Sequence, residues 1–118
     1  MKPILKYIHV QSGESLEDFN PEISDNFWNL FSIGIEFEGV EGHNDYWFQI
    51  GTPRAFEHKI QNEGPIWGRH YMIVNSFDAT EIKNHIEKKI VECARSNEEE
   101  TLLVLSRFFH WEFEDYQV

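Results

Sequence analysis

What this chain has little of narrows its possibilities first. One cysteine, Cys93, among 118 residues leaves no internal disulfide and no thiolate cluster for a metal. No apolar run approaches the ~20 residues that a bilayer-spanning helix needs. The stretch Met1 to Tyr7 carries Lys2 and Lys6 but no long apolar core and no small-residue cleavage site, so it does not read as a signal peptide. These shortages point to the cytoplasm. Basic residues are also scarce, ten Lys and Arg against 21 Asp and Glu, for a net charge of −11. Nucleic acid and anionic membranes are poor partners for such a chain, because both are met by basic surfaces. Missing too are the G-x-S-x-G elbow, the phosphate loop G-x-x-x-x-G-K-[ST] and the dinucleotide fingerprint G-x-G-x-x-G.

What is present describes a folded domain. A hydrophobic content of 41%, with 15% aromatic residues, is enough to bury a core, and the length fits a single domain over residues 1–118. The acidity is uneven. Residues 1–53 carry nine acids against two bases, residues 54–95 six against seven, and residues 96–118 six against one. Two acidic segments therefore flank a balanced middle, which predicts one acidic surface rather than uniform solubilising charge.

Periodicity supplies the elements. Ile4 to Val10 reads as a first strand with Ile4, Ile8 and Val10 on one face and Leu5, Tyr7 and His9 on the other. Residues 11–26 are polar, hold Gly and Pro, and read as a long loop. Phe27 to Glu38 alternates, with Phe31, Ile33, Ile35 and Phe37 on the buried face and Ser32, Gly34, Glu36 and Glu38 opposite. A turn-rich link leads to a hairpin partner over Tyr46 to Thr52. Thr52-Pro53 opens a short helix, since threonine caps and proline suits the first helical position. Arg69 to Asn75 reads as a fourth strand. Asp78 and Glu81 form a capping pair for a helix whose stripe is Ile82, Ile86, Ile90 and Cys93. Ser96 or Asn97 caps a last helix, with Glu98, Glu99 and Glu100 in the first turn and Leu102, Leu105 and Phe109 as its buried side. Strands first and helices late predict an α+β domain: an antiparallel sheet of four to five strands with two C-terminal helices on one face.

Chemistry is sparse in these elements. Six histidines show no metal-binding spacing; His110-Trp111-Glu112 is half of a zinc-deaminase signature whose cysteine half is missing. Cys93 lies on an apolar stripe, where a free cysteine is ordinary core. Glu36, Glu38, Glu112 and Glu114 would suit an acid/base pair, but an exposed strand face predicts the same residues. No catalytic residue, metal site or cofactor is assigned. Of the four tryptophans, Trp28 and Trp47 fall opposite the buried strand face, and both core packing and partner anchoring stay open for them. Trp111 alternates with two carboxylates and is expected to point inward.

Three stretches together, "DYWFQIGTPRAF", "WGRHYMIVNSFDATEIKNHIEK" and "LSRFFHWEFEDY", resemble the immunity protein 8 family of bacterial polymorphic toxin systems. The likeness rests on Thr52-Pro53, on Gly68 to Tyr71, and above all on Trp111-Glu112-Phe113. It runs from about residue 27 to residue 116. The resemblance implies a non-enzymatic protein that binds and neutralises a cognate toxin, often a nuclease, inside the producing cell. A nuclease needs a basic substrate groove, and an acidic inhibitor gains association rate and charge pairing from it. The expected contacts are Glu36, Glu38, Glu41 and Asp45 with Glu112, Glu114 and Asp115, away from the helix of Lys83, Lys88 and Lys89. The free protein is expected to be a monomer. Two other readings remain: an adaptor domain whose partner is not a toxin, and a small hydrolase with a hidden site.

Overall fold

In the computed structural model, which describes residues 2–112, five strands form one sheet: β1 (Pro3–Val10), β2 (Trp28–Phe37), β3 (Asn44–Gly51), β4 (Tyr71–Ile73) and β5 (His110–Trp111). Three helices accompany them: α1 (Pro53–Glu63), α2 (Ala79–Glu92) and α3 (Glu98–Leu105). The strand order is β1-β2-β3-β4, and β5 shares the outer edge of β3 with β4. β1 and β2, β2 and β3, and β3 and β5 pair antiparallel. β4 is the exception to the expected antiparallel sheet. It runs parallel to β3, matching Gln49 with Tyr71 and Gly51 with Ile73. The cause is α1, which carries the chain from the end of β3 back to its starting side, as parallel neighbours require. The class is α+β, with a mixed sheet.

Each helix starts where a local side chain caps it. Thr52 Oγ1 accepts from the Ala55 N–H at 3.4 Å, with Pro53 in the first turn. Asp78 accepts from Glu81 N–H at 3.1 Å, and Asn97 rather than Ser96 accepts from Glu100 N–H at 2.8 Å. α1 ends at Gly64, whose positive φ of 87° lets its N–H turn back to the Ile60 carbonyl.

The core lies between the inner sheet face and α2 and α3. Phe31, Ile33, Ile35 and Phe37 of β2 meet Tyr46, Phe48 and Ile50 of β3, and Ile82, Ile86 and Ile90 of α2 close over them. Each of those isoleucines contributes roughly 1.5–3 kcal/mol by leaving water. α3 adds Thr101, Val104 and Leu105, and Phe109 follows beyond the helix. Leu102, expected in the buried stripe, is only half-buried. Cys93 is buried among these groups, and burial pushes its thiol pKa up, away from thiolate chemistry.

β1 departs from simple alternation. Its register shifts between Leu5 and Tyr7, so Lys6 is an extra residue and the first half of the strand is turned over. Pro3 and Leu5 thus share the inner face with Ile8 and Val10, while Ile4 faces outward and is exposed. The 11–26 segment is also more than a loop. Leu16 is fully buried, and Phe19 meets Phe27, Phe31 and Phe77 edge-to-face. Backbone bonds from Leu16 to Ile8 and from Val10 to Glu14 tie it along β1.

Candidate partner-binding surface

The outer sheet face is covered only at one end among the described residues. There Phe56 of α1 stacks on Trp28 at 4.8 Å and meets Tyr71 edge-on. Gly51 makes room for Trp28: a β-carbon there would sit 2.8 Å from the indole. From that end the face continues through Leu30, Gln49, Trp47 and Ser32 to Gly34, Asp45 and Glu36. β5 extends it, because His110 pairs opposite Trp47, and the Glu112 N–H bonds to the Asp45 carbonyl at 3.2 Å.

Tyr7 organises the far end. Gly34, its partner across the β1–β2 pair, has no side chain, and the phenol ring occupies the space a β-carbon there would need. Its hydroxyl donates to Asp45 Oδ1, the same oxygen that His43 Nε2 approaches at 3.1 Å. Burial, then the Asp45 hydrogen bond and charge, then the Glu112 charge push the Tyr7 pKa well above its ordinary value. Tyr7 is therefore a protonated donor that fixes the Asp45 carboxylate. His9 stacks on the ring at 4.7 Å.

The expected acidic residues can now be placed. Glu36 and Asp45 share the outer face, and Glu112 lies beside Asp45. Glu38 and Glu41 are exposed in the turn joining β2 to β3. Five of the seven expected carboxylates thus lie on one end of this face or in the turn beyond it, with Lys2, whose carbonyl accepts from the Glu38 N–H, alongside. Glu114 and Asp115 lie outside the described residues. Sequence reasoning missed Tyr7 and Gly34; a glycine inside an alternating strand was the available signal of close approach.

The tryptophans divide. Trp28 and Trp47 are half-buried on the outer face, Trp47 tilted over His110 at 4.6 Å. Trp111 pairs with Tyr46 on the inner face, half-buried, and donates to Asn44 Oδ1 at 3.3 Å. Trp67 is 93% exposed in the link between α1 and β4. No group of three or more His, Cys, Asp or Glu is placed to hold a metal ion among the described residues. No described helix is long and apolar enough to cross a membrane.

An open, acidic, aromatic sheet face is suited to docking another macromolecule. Comparison with curated proteins and with solved structures found no match. The family model described as Immunity protein 8 matches residues 4–116, nearly the whole chain, and the protein belongs to that family.

Proposed function

We propose that this immunity protein neutralises its cognate toxin by laying the acidic end of the open sheet face over a basic groove of that toxin. The observation that carries the reading is the convergence of Glu36, Asp45 and Glu112 on one face, with Glu38 and Glu41 at its rim. A basic groove is what a nuclease presents to its substrate, so a nuclease is the toxin class this surface suits. Long-range attraction would speed the encounter, and pairing at the groove would block substrate. Glu36 and Asp45 stand on paired strands, and docking such groups costs less ordering entropy than docking a loop. The protein needs no cofactor and performs no chemical step in this role, which it carries out in the cytoplasm.

The test uses the toxin domain encoded beside the gene. Glu36→Lys with Glu38→Lys should slow association at least about tenfold and flatten its dependence on salt, with melting unchanged. Unchanged association at low and high salt would overturn the placement. The adaptor reading predicts co-purification with some other protein and none with the neighbouring product. The hydrolase reading predicts turnover in a substrate panel that a single carboxylate substitution abolishes.

A further inference from the structure

Within this acidic chain one cleft is basic. It encloses about 360 Å³ between the segment leading into β4, α2 and the residues after α3. Basic groups come from those three places: Arg69, Lys89 and Arg107, with His70 and His85 at the walls, and among the described residues no carboxylate is part of the lining. Phe48 and Phe109, both buried and packed edge-to-face at 4.9 Å, form an apolar floor. Phe108 stands half in solvent with the Lys89 ammonium 4.4 Å over its ring. Lys89 also reaches Glu92 at 3.3 Å on its own helix, whereas Arg107 makes no ion pair among the described residues.

The cleft is continuous with the proposed docking face. Arg69 and His70 line both this cleft and a smaller hollow of about 140 Å³ that opens beside Trp47, Gln49 and His110 on the outer sheet face. His70 is held there rigidly. Its Nε2 lies 2.9 Å from the Ser106 carbonyl, its own carbonyl accepts from Gln49 N–H, and its φ of 63° is one that few non-glycine residues adopt.

We infer that the toxin-binding surface has two poles: beyond the acidic end it runs past Trp47 and His110 into this cleft, which receives an acidic side chain of the toxin flanked by an apolar one. This rests on the toxin-binding reading. The chemistry favours a carboxylate with an apolar neighbour. Lys89 supplies an ammonium and Arg107 a guanidinium beside an aromatic floor, so a carboxylate can pair with the cations while its apolar neighbour covers the rings. A nucleotide base is poorly served. Phe48 and Phe109 are buried edge-to-face, and Lys89 already occupies one face of Phe108, so the phenylalanines make a poor stacking platform. Two poles of opposite sign also fix orientation, because a toxin turned around would set like charges together at both ends. Lys89 thereby becomes part of the interface, unlike Lys83 and Lys88 on the same helix.

Charge reversal separates this inference from simple steering. Arg107→Glu with Lys89→Glu makes the protein more acidic, so steering alone predicts equal or faster association with a basic toxin domain. The two-pole surface instead predicts that dissociation accelerates at least about tenfold, as loss of a desolvated charge partner does. Arg107→Gln should act in the same direction, more weakly, and it guards against misfolding of the double variant; melting curves check both. Lys substitution of the toxin acid that contacts the cleft should restore binding to Arg107→Glu. Unchanged or tighter binding of both cleft variants overturns the inference. If Glu36→Lys with Glu38→Lys still weakens binding in that case, the acidic-face reading stands alone; if neither pair matters, that reading falls as well.

Discussion

Replacing Gly34 by alanine tests how the acidic end is built. The residue is buried in the middle of β2, with Tyr7 on one side and Asp45 on the other. A β-carbon there would lie 2.6 Å from Tyr7 Cδ2 and 2.8 Å from Cζ, so the ring must move. Overpacking of this kind costs about 1–3 kcal/mol. Displacing the ring also breaks the hydroxyl bond to Asp45, about 1 kcal/mol for a partly exposed group hydrogen-bonded to a charge. Alanine returns about 0.5–1 kcal/mol through its stiffer unfolded chain. The net expectation is a loss of about 2 kcal/mol, read as a lower urea midpoint at unchanged slope. The decisive measurement is a double-mutant cycle. In a Tyr7→Ala background the obstructing ring is gone, and Gly34→Ala should be neutral or mildly stabilising. Tyr7→Phe isolates the hydrogen bond and should cost no more than about 1 kcal/mol. Equal costs of Gly34→Ala in both backgrounds would refute the close packing of Tyr7 on Gly34.

Trp111→Ala should lower stability by about 2–3 kcal/mol, below the loss for a fully buried tryptophan, because the side chain is half-buried. Unchanged melting with collapsed toxin binding would make it an interface anchor instead. Tyr46 is fully buried, and its hydroxyl has no hydrogen-bond partner among the described residues, so Tyr46→Phe should leave stability level or raise it by about 1 kcal/mol. A clear loss would mean that the hydroxyl is bonded. Burial chiefly raises the Tyr46 pKa from its ordinary 10.0. Above that pH the unfolded chain loses the proton while the folded one keeps it. The contribution of Tyr46 is therefore full below pH 10 and is lost at about 1.4 kcal/mol per pH unit beyond it, a part of the alkaline slope that Tyr46→Phe should remove while the part due to Tyr7 stays. Charge reversal of Lys83 and Lys88, outside both poles, should leave toxin binding little changed in the salt series.

Legibility in the sequence followed the range of the interactions. The β2 alternation and the caps Thr52, Asp78 and Asn97 depend on neighbours a few residues away, and a period of two or a side-chain type announces them. The parallel pairing of β4 depends on where α1 sets the chain down, which no local pattern states. Lys6 shows how little is needed to mislead: one extra residue reversed the faces assigned to Ile4 and Leu5. Leu16 and Phe19 are isolated apolar residues in a polar stretch, with no period to mark them as buried. At the candidate surface, Glu36 followed from strand alternation, whereas Asp45 read as part of the link before Tyr46, and its place opposite Gly34 needed the β2–β3 register. Glu112 beside Asp45 needed the β3–β5 register, and Tyr7 needed the missing side chain at Gly34. The basic cleft was hidden in plain composition: Arg69 and Lys89 come from the charge-balanced middle and Arg107 from an acidic segment, and only the fold brings them together.

The outer boundary of the sheet carries a last consequence. At β1, Pro3 offers no N–H, the shift at Lys6 breaks the repeat of donors and acceptors, and the 14–16 segment already bonds to Ile8 and Val10. Among the described residues the opposite boundary is the three residues of β4 and the two of β5. Among the described residues neither side offers a long, regular row of backbone groups for an incoming strand to zip onto. On the proposed toxin-binding reading, recognition falls to side chains, which are replaceable one at a time without disturbing the ladder beneath. A scaffold of this kind can change allegiance from one toxin to another by surface substitution, while the same framework is inherited intact.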